Sequence, residues 1–154
     1  MDHEKFMKEA IKEAKLGIDN SHGGPFGTVI VKDNKIIARG HNCVLRDNDP
    51  TEHGEIMAIR SACKKLGTYK LNDCTLYTTA EPCPMCLGAI LWSGIKDVYY
   101  GCTISDTSQI GFDDSEFYDI LAGKYKAFKL KETNRSNCLE LFKDYSTKDD
   151  RIIY

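Results

Sequence analysis

An α/β fold, with one sheet covered by helices on both faces, is predicted by three features of the sequence. Strand-like and helix-like hydrophobic patterns alternate along the chain, which is the signature of layered α/β architecture. The length of 154 residues is close to that of one ordinary domain of about 100–150 residues. A composition of 42% hydrophobic and 29% charged residues is that of a globular chain with an adequate core, which excludes a disordered or collagen-like polymer. Nothing repeats, nothing is low in complexity and no linker divides the chain, so a single domain over 1–154 is expected.

The elements follow in order. Phe6, Met7, Ala10, Ile11, Ala14 and Ile18 recur at helical spacing between lysines and glutamates, predicting an amphipathic helix over 3–20. Ser21-His22-Gly23-Gly24-Pro25 breaks it. Residues 27–31 and 36–40 read as two strands joined by a polar turn at 32–35. A polar loop over 42–51 ends in Asp49-Pro50-Thr51, which has the chemistry of a helix start. Ile56, Ile59, Cys63 and Leu66 give the second helix its buried stripe, and Gly67 ends it. Residues 76–79 are strand-like, and Pro84 opens a helix that runs through Ile90 to Gly94. A strand at 97–102, a long loop at 103–115 and a short helix at 116–121 come next. Phe128 and Leu130 alternate with lysines in a last strand, and 139–145 is helical.

The longest apolar runs fall far short of the ~18 residues that a spanning helix needs, and the mixed-charge start Met1-Asp2-His3-Glu4-Lys5 does not read as a signal peptide. A soluble, cytoplasmic domain without membrane partners is therefore expected. Lys plus Arg number 21 against 23 Asp plus Glu, a net charge of −2. A chain that neutralises many phosphates carries a basic excess, so nucleic acid is not an expected partner. Lys124, Lys126, Lys129, Lys131 and Arg135 read as the solvated face of a strand and its loop. Seven cysteines without an export signal point to free thiols or metal ligands, and only Cys83 and Cys86 have ligand spacing.

Two segments carry chemistry together: His53-Gly54-Glu55 and Pro82-Cys83-Pro84-Met85-Cys86. Thiolate and neutral imidazole are zinc donors, and three protein ligands leave a fourth tetrahedral position for water. Both segments lie at predicted helix starts, where the positive end of the macrodipole favours thiolate. Within a helix, positions i and i+2 point about 200° apart, so His53 and Glu55 serve one site only at the helix's beginning. Glu55 is placed to carry protons rather than to ligate. A lone C-x-x-C also fits a redox dithiol or half of a structural zinc module; the pairing with H-x-E about 30 residues upstream favours a catalytic zinc.

With these segments, and with Gly23-Gly24-Pro25-Phe26-Gly27, Asn48-Asp49-Pro50-Thr51 and Gly111-Phe112-Asp113-Asp114-Ser115, the chain resembles the cytidine deaminase-like superfamily of zinc-dependent nucleobase deaminases over almost its whole length. Within that superfamily it is most similar to the short bacterial guanine deaminases. The resemblance implies a three-layer α/β/α sandwich with a central mixed sheet of about five strands. It implies one Zn2+ per subunit on His53, Cys83 and Cys86, Glu55 as the catalytic acid–base, and deamination of guanine to xanthine and ammonia. By position, Asn42 and Asp114 would hydrogen-bond the purine, while Phe26, Trp92 and Phe112 would pack on its ring. A homodimer is implied, with the segment from about 137 to 154 exchanged so that Tyr154 closes the partner subunit's pocket.

The segment His53-Gly54-Glu55, with glycine where the guanine deaminases usually carry alanine, also resembles the fungal cytosine deaminases, as do Gly40-His41-Asn42 and 75–79. The tRNA adenosine deaminases share the P-C-x-M-C segment but are more basic and lack the Phe-Asp-Asp loop. A non-enzymatic zinc module would need a fourth ligand and would have no use for Glu55.

Overall fold

In the computed structural model, which describes residues 2–124 and 128–153, strand β1 (Gly27–Lys32) is flanked on both sides by antiparallel partners. The order is β2-β1-β3-β4, with β2 at Lys35–His41, β3 at Thr75–Ala80 and β4 at Asp97–Cys102 running parallel to β3. Asp33 and Asn34, both in the left-handed region at φ 49° and 59°, make the two-residue turn between β1 and β2.

Alternation along the strands divides the core. Val29, Val31 and Tyr77 face helix α1 (His3–Asp19), where Phe6 and Ala10 meet them. Ile30, Ala38 and Leu76 face the other way, against Ala58 and Ala62 of α3 (Gly54–Leu66) and Ile90 of α4 (Pro84–Ser93). The mixed sheet is thus covered on both faces, as predicted. Two strand glycines permit the close approach of the helices. A Cβ on Gly27 would lie 2.2 Å from the Ala10 carbonyl oxygen of α1, and one on Gly40 would lie 2.5 Å from the Gly54 oxygen and the Ala58 nitrogen of α3.

The sheet has four strands among the described residues, not about five. Residues 128–134 form no strand, and Phe128 and Leu130 are exposed. Their alternation sets which side chains share a face, but a strand also needs a neighbouring edge to take its backbone hydrogen bonds. Two segments predicted as loops contain short helices, α2 (Val44–Asp47) and α5 (Ile104–Gln109). The second is held by a capping box in which the Asp106 N–H donates to Thr103 Oγ1 while the Thr103 N–H donates to Asp106 Oδ2. Its sequence sign, Thr103-Ile104-Ser105-Asp106, was legible in principle. Helix α6 (Ser115–Leu121) follows.

Contacts divide the described chain into a unit ending at Tyr118 and a second beginning at Asp119. Within the second, α7 (Arg135–Ser146) is the main element, and the Tyr145 hydroxyl donates to the Ile152 carbonyl at 3.3 Å. No helix of the described residues is long and apolar enough to cross a membrane.

Candidate active site

His53 is the N-cap of α3, with extended backbone at φ −72° and ψ 158°. That conformation resolves the spacing problem: His53 stands just outside the helix, and only Glu55 obeys helical geometry. Asp49-Pro50-Thr51, predicted to start this helix, instead forms a separate turn in which Asp49 Oδ1 accepts from the Thr51 N–H and hydroxyl. Cys83 is likewise the N-cap of α4, followed by Pro84 in the first turn, and Cys86 lies inside that turn. Two helix N-termini therefore meet at one point, and both favour negative charge there.

His53 Nδ1 lies 3.5 Å from Cys83 Sγ and 3.5 Å from Cys86 Sγ. Zinc bonds of about 2.1 Å to nitrogen and 2.3 Å to sulfur give a tetrahedral N···S edge of about 3.6 Å, so the three donors already stand at ligand spacing. The Cys86 thiol and His53, acting as hydrogen-bond donors, push the Cys83 thiol down to about 4 against the opposing effect of burial. Cys86, holding the shared proton beside Cys83 and buried, is pushed up, and the Cys83 contact raises His53. A cation takes the place of those shared protons; the donor set fits zinc.

Glu55 is buried beside these donors, with Oε2 3.4 Å from Cys86 Sγ. Burial raises its carboxyl above the ordinary range, so this group holds a proton more readily than an exposed glutamate. Its other oxygen, Oε1, accepts from the Thr78 hydroxyl at 3.2 Å, and Thr78 in turn accepts from Thr28 at 3.2 Å. Both threonines are fully buried strand residues. Sequence reading did not single them out, because threonine is common in strands and the pairing of β1 with β3 brings them together. Thr78→Val leaves Oε1 without its donor; the expected result is a roughly tenfold loss of turnover, about 1.4 kcal/mol, with zinc content unchanged. Parallel assays of rate and bound metal check it.

A cavity of about 680 Å³ opens over this centre. His53, Glu55 and Cys83 lie in its floor, and Phe26, Asn42, Phe112 and Asp114 are among its walls. Phe26 and Phe112 meet edge to face with centroids 5.1 Å apart. A Cβ on Gly24 would lie 2.7 Å from the Phe26 ring and 3.0 Å from Phe112, so glycine there leaves room for the pair. Asn42 is buried and its Oδ1 accepts from the Val44 N–H at 3.1 Å. Burial raises the Asp114 carboxyl, and the Cys83 and Asp113 charges add to that shift. Asp113 instead caps the turn before α6 by accepting from the Ser115 N–H. Ile104 and Thr107 of α5 and Phe117 of α6 complete a rim that the sequence did not reveal. Trp92 is not among the lining residues: it sits near the end of α4, 72% exposed. The reason is helical phase, since Cys86 and Ile90 take the buried side of α4. Tyr154 lies outside the described residues.

Residues 1–102 match the family model described as the cytidine and deoxycytidylate deaminase zinc-binding region. The chain belongs to this family. The matched span contains His53, Glu55, Cys83 and Cys86, together with Phe26 and Asn42 of the cavity wall, and ends before Phe112 and Asp114. The chain is 56% identical over 118 residues to the guanine deaminase of Bacillus subtilis (strain 168), covering 77% of this chain and 76% of that protein. It is 46% identical over 98 residues to the tRNA-specific adenosine deaminase of the same organism, covering 64% and 60%. A crystal structure of guanine deaminase from Bacillus subtilis superposes with a TM-score of 0.95 and 44% identity, covering 100% of this chain and 99% of that one.

Proposed function

We propose that the protein hydrolyses guanine to xanthine and ammonia, with one catalytic zinc per subunit on His53, Cys83 and Cys86. The observation that carries this reading is the placement of the Phe112–Asp114 loop over the same cavity that holds Glu55. Zinc, when bound, supplies the acidified water that cleavage of a C–N bond requires. The chain supplies the proton path: Thr78 holds Glu55 Oε1, so protons travel on Oε2, to the ring nitrogen and then to the departing amine. Asn42 Oδ1 is oriented by accepting from the Val44 N–H, and the side-chain N–H groups donate to the purine. Asp114 accepts from the purine N–H groups, and Phe26 with Phe112 packs on the ring.

Gly54, which looked like a mark of cytosine specificity, does not read the base. A Cβ there would point at the backbone oxygen of Phe26, just before β1, and at Thr28 Oγ1 and the Gly40 oxygen in the sheet, and Gly54 does not line the cavity. Action on tRNA would be expected to bring a basic binding face, whereas this chain carries a net charge of −2.

Ammonia release from guanine, guanosine, adenine, cytosine, cytidine and a tRNA anticodon stem-loop tests the reading. Guanine alone is expected to turn over; preference for any other member overturns the assignment of the loop. Asp114→Asn is expected to depress guanine turnover by roughly tenfold or more while zinc content holds, because a carboxylate accepting from two N–H groups becomes an amide that can accept only on one side. An unchanged rate removes Asp114 from the pocket.

The family resemblance also supports a homodimer with exchanged C-terminal segments. Leu91 and Trp92 on α4, and Leu141, Phe142, Ile152 and Ile153 in the second unit, are exposed apolar side chains of the kind an interface covers. In that arrangement Trp92 serves the interface rather than its own subunit's cavity. A monomeric mass in solution would remove this part of the proposal.

A further inference from the structure

Behind the cavity wall that carries Asn42, a second set of donors gathers where α1, β2 and the segments at 21–25 and 42–52 meet. His22 Nδ1 lies 2.9 Å from His41 Nε2, and the two rings stack with centroids 5.1 Å apart. Cys43 is buried, and one donor atom from each of His22, His41 and Cys43 lies within 4.8 Å of the others. None of the three lines the catalytic cavity, and the deamination described above uses none of them.

Three features suit this cluster to a cation rather than to polar packing alone. His41 Nδ1 faces Glu13 Oε2 at 3.1 Å, and Arg39 lies 3.9 Å from the same carboxylate group. A carboxylate behind an imidazole fixes the tautomer and turns the lone pair of the other nitrogen, here Nε2, toward the cluster. Second, two imidazoles and a thiol are the donor types that zinc selects. Third, Cys43 also stands within 4.8 Å of carboxylate oxygens of Asp47 and Glu52, and Glu52 Oε2 is buried without a hydrogen-bond partner among the described residues. The Glu52 carboxylate already pairs with Arg60 at 3.2 Å through Oε1, and a proton shared with Asp47 raises it, so a cation here would take the place of the proton shared by the two carboxylates.

We infer that His22, His41 and Cys43 form a second transition-metal site of the zinc type, separate from the catalytic centre. On binding, the Cys43 thiol gives its proton to solvent, and the His22 proton moves from Nδ1 to Nε2 so that both facing nitrogens ligate. The His22–His41 separation must open from 2.9 Å to about 3.3 Å, the edge set by zinc–nitrogen bonds of about 2.05 Å. Glu52 is at hand beside Cys43 as a further donor. The ion would tie the segment bearing Gly23 to the segment bearing Asn42, both of which line the cavity, and so stiffen one wall of the active site.

Elemental analysis of the full chain, equilibrated with buffered micromolar free zinc and then freed of excess ion, tests this. The unaltered protein is expected to hold two ions per chain, while His22→Gln and Cys43→Ser each hold one, retained at His53, Cys83 and Cys86. One ion in the unaltered protein overturns the site without touching the catalytic centre. Two ions in either variant overturn this ligand set. Circular dichroism accompanies the count, and His22→Gln, which alters a partly exposed turn residue, stands alone if Cys43→Ser does not fold.

Discussion

Glu55→Gln is expected to lower guanine turnover by about 10²–10⁴-fold while leaving zinc content and thermal unfolding nearly unchanged, the range general acid–base catalysis supplies. Glutamine keeps the shape of the side chain, and its carbonyl oxygen can still accept from Thr78. It cannot take up and return a proton. The three metal donors are untouched, so a loss of zinc in this variant would mean that Glu55 holds the site together rather than moving protons. Turnover near that of the unaltered protein would remove Glu55 from the mechanism. The measurement is kcat for guanine with metal content determined on the same sample.

Gly40→Ala is expected to cost zinc and turnover together, although Gly40 touches neither. Its added Cβ would stand 2.5 Å from the Gly54 oxygen and the Ala58 nitrogen and 2.9 Å from Met57 Cβ. Backbone atoms of a helix cannot swing aside as a flexible side chain can, so the start of α3 must move by about 1 Å, and displacement on that scale can cost about 10²-fold in rate. His53 and Glu55 sit on that start and move with it. Gly54→Ala is the control: its Cβ would meet neighbours at 3.1 and 3.2 Å, a fit that a few tenths of an ångström relieves. Zinc titration and guanine turnover on both variants decide the matter. Equal behaviour of the two would show that the contact at Gly40 does not position the metal donors.

The candidate donors and Glu55 could be picked out from the sequence because the pattern they form is local. His53 and Glu55 are two residues apart, Cys83 and Cys86 three, and each pair needs only a helix start to be oriented. The same holds for α1, for the β1–β2 hairpin with its Asp-Asn turn, and for the glycine at the end of α3, all of which rest on hydrophobic period or backbone preference. The loop readings at 42–51 and 103–115 fell short because helices of four and six residues are too short to display a periodic apolar stripe.

Residue type, spacing and period single out the candidate side chains of this protein's site and the local backbone that presents them. They cannot settle which distant elements become neighbours, since that depends on how strands pair and on which side of a helix finds a core. The pairing of β1 with β3 made Thr28 and Thr78 the support of Glu55. The phase of α4 put Cys86 in the core and turned Trp92 away from the cavity. Packing of α1 against the sheet carried Glu13 to His41, 28 positions along the chain, where no local rule would have looked for it.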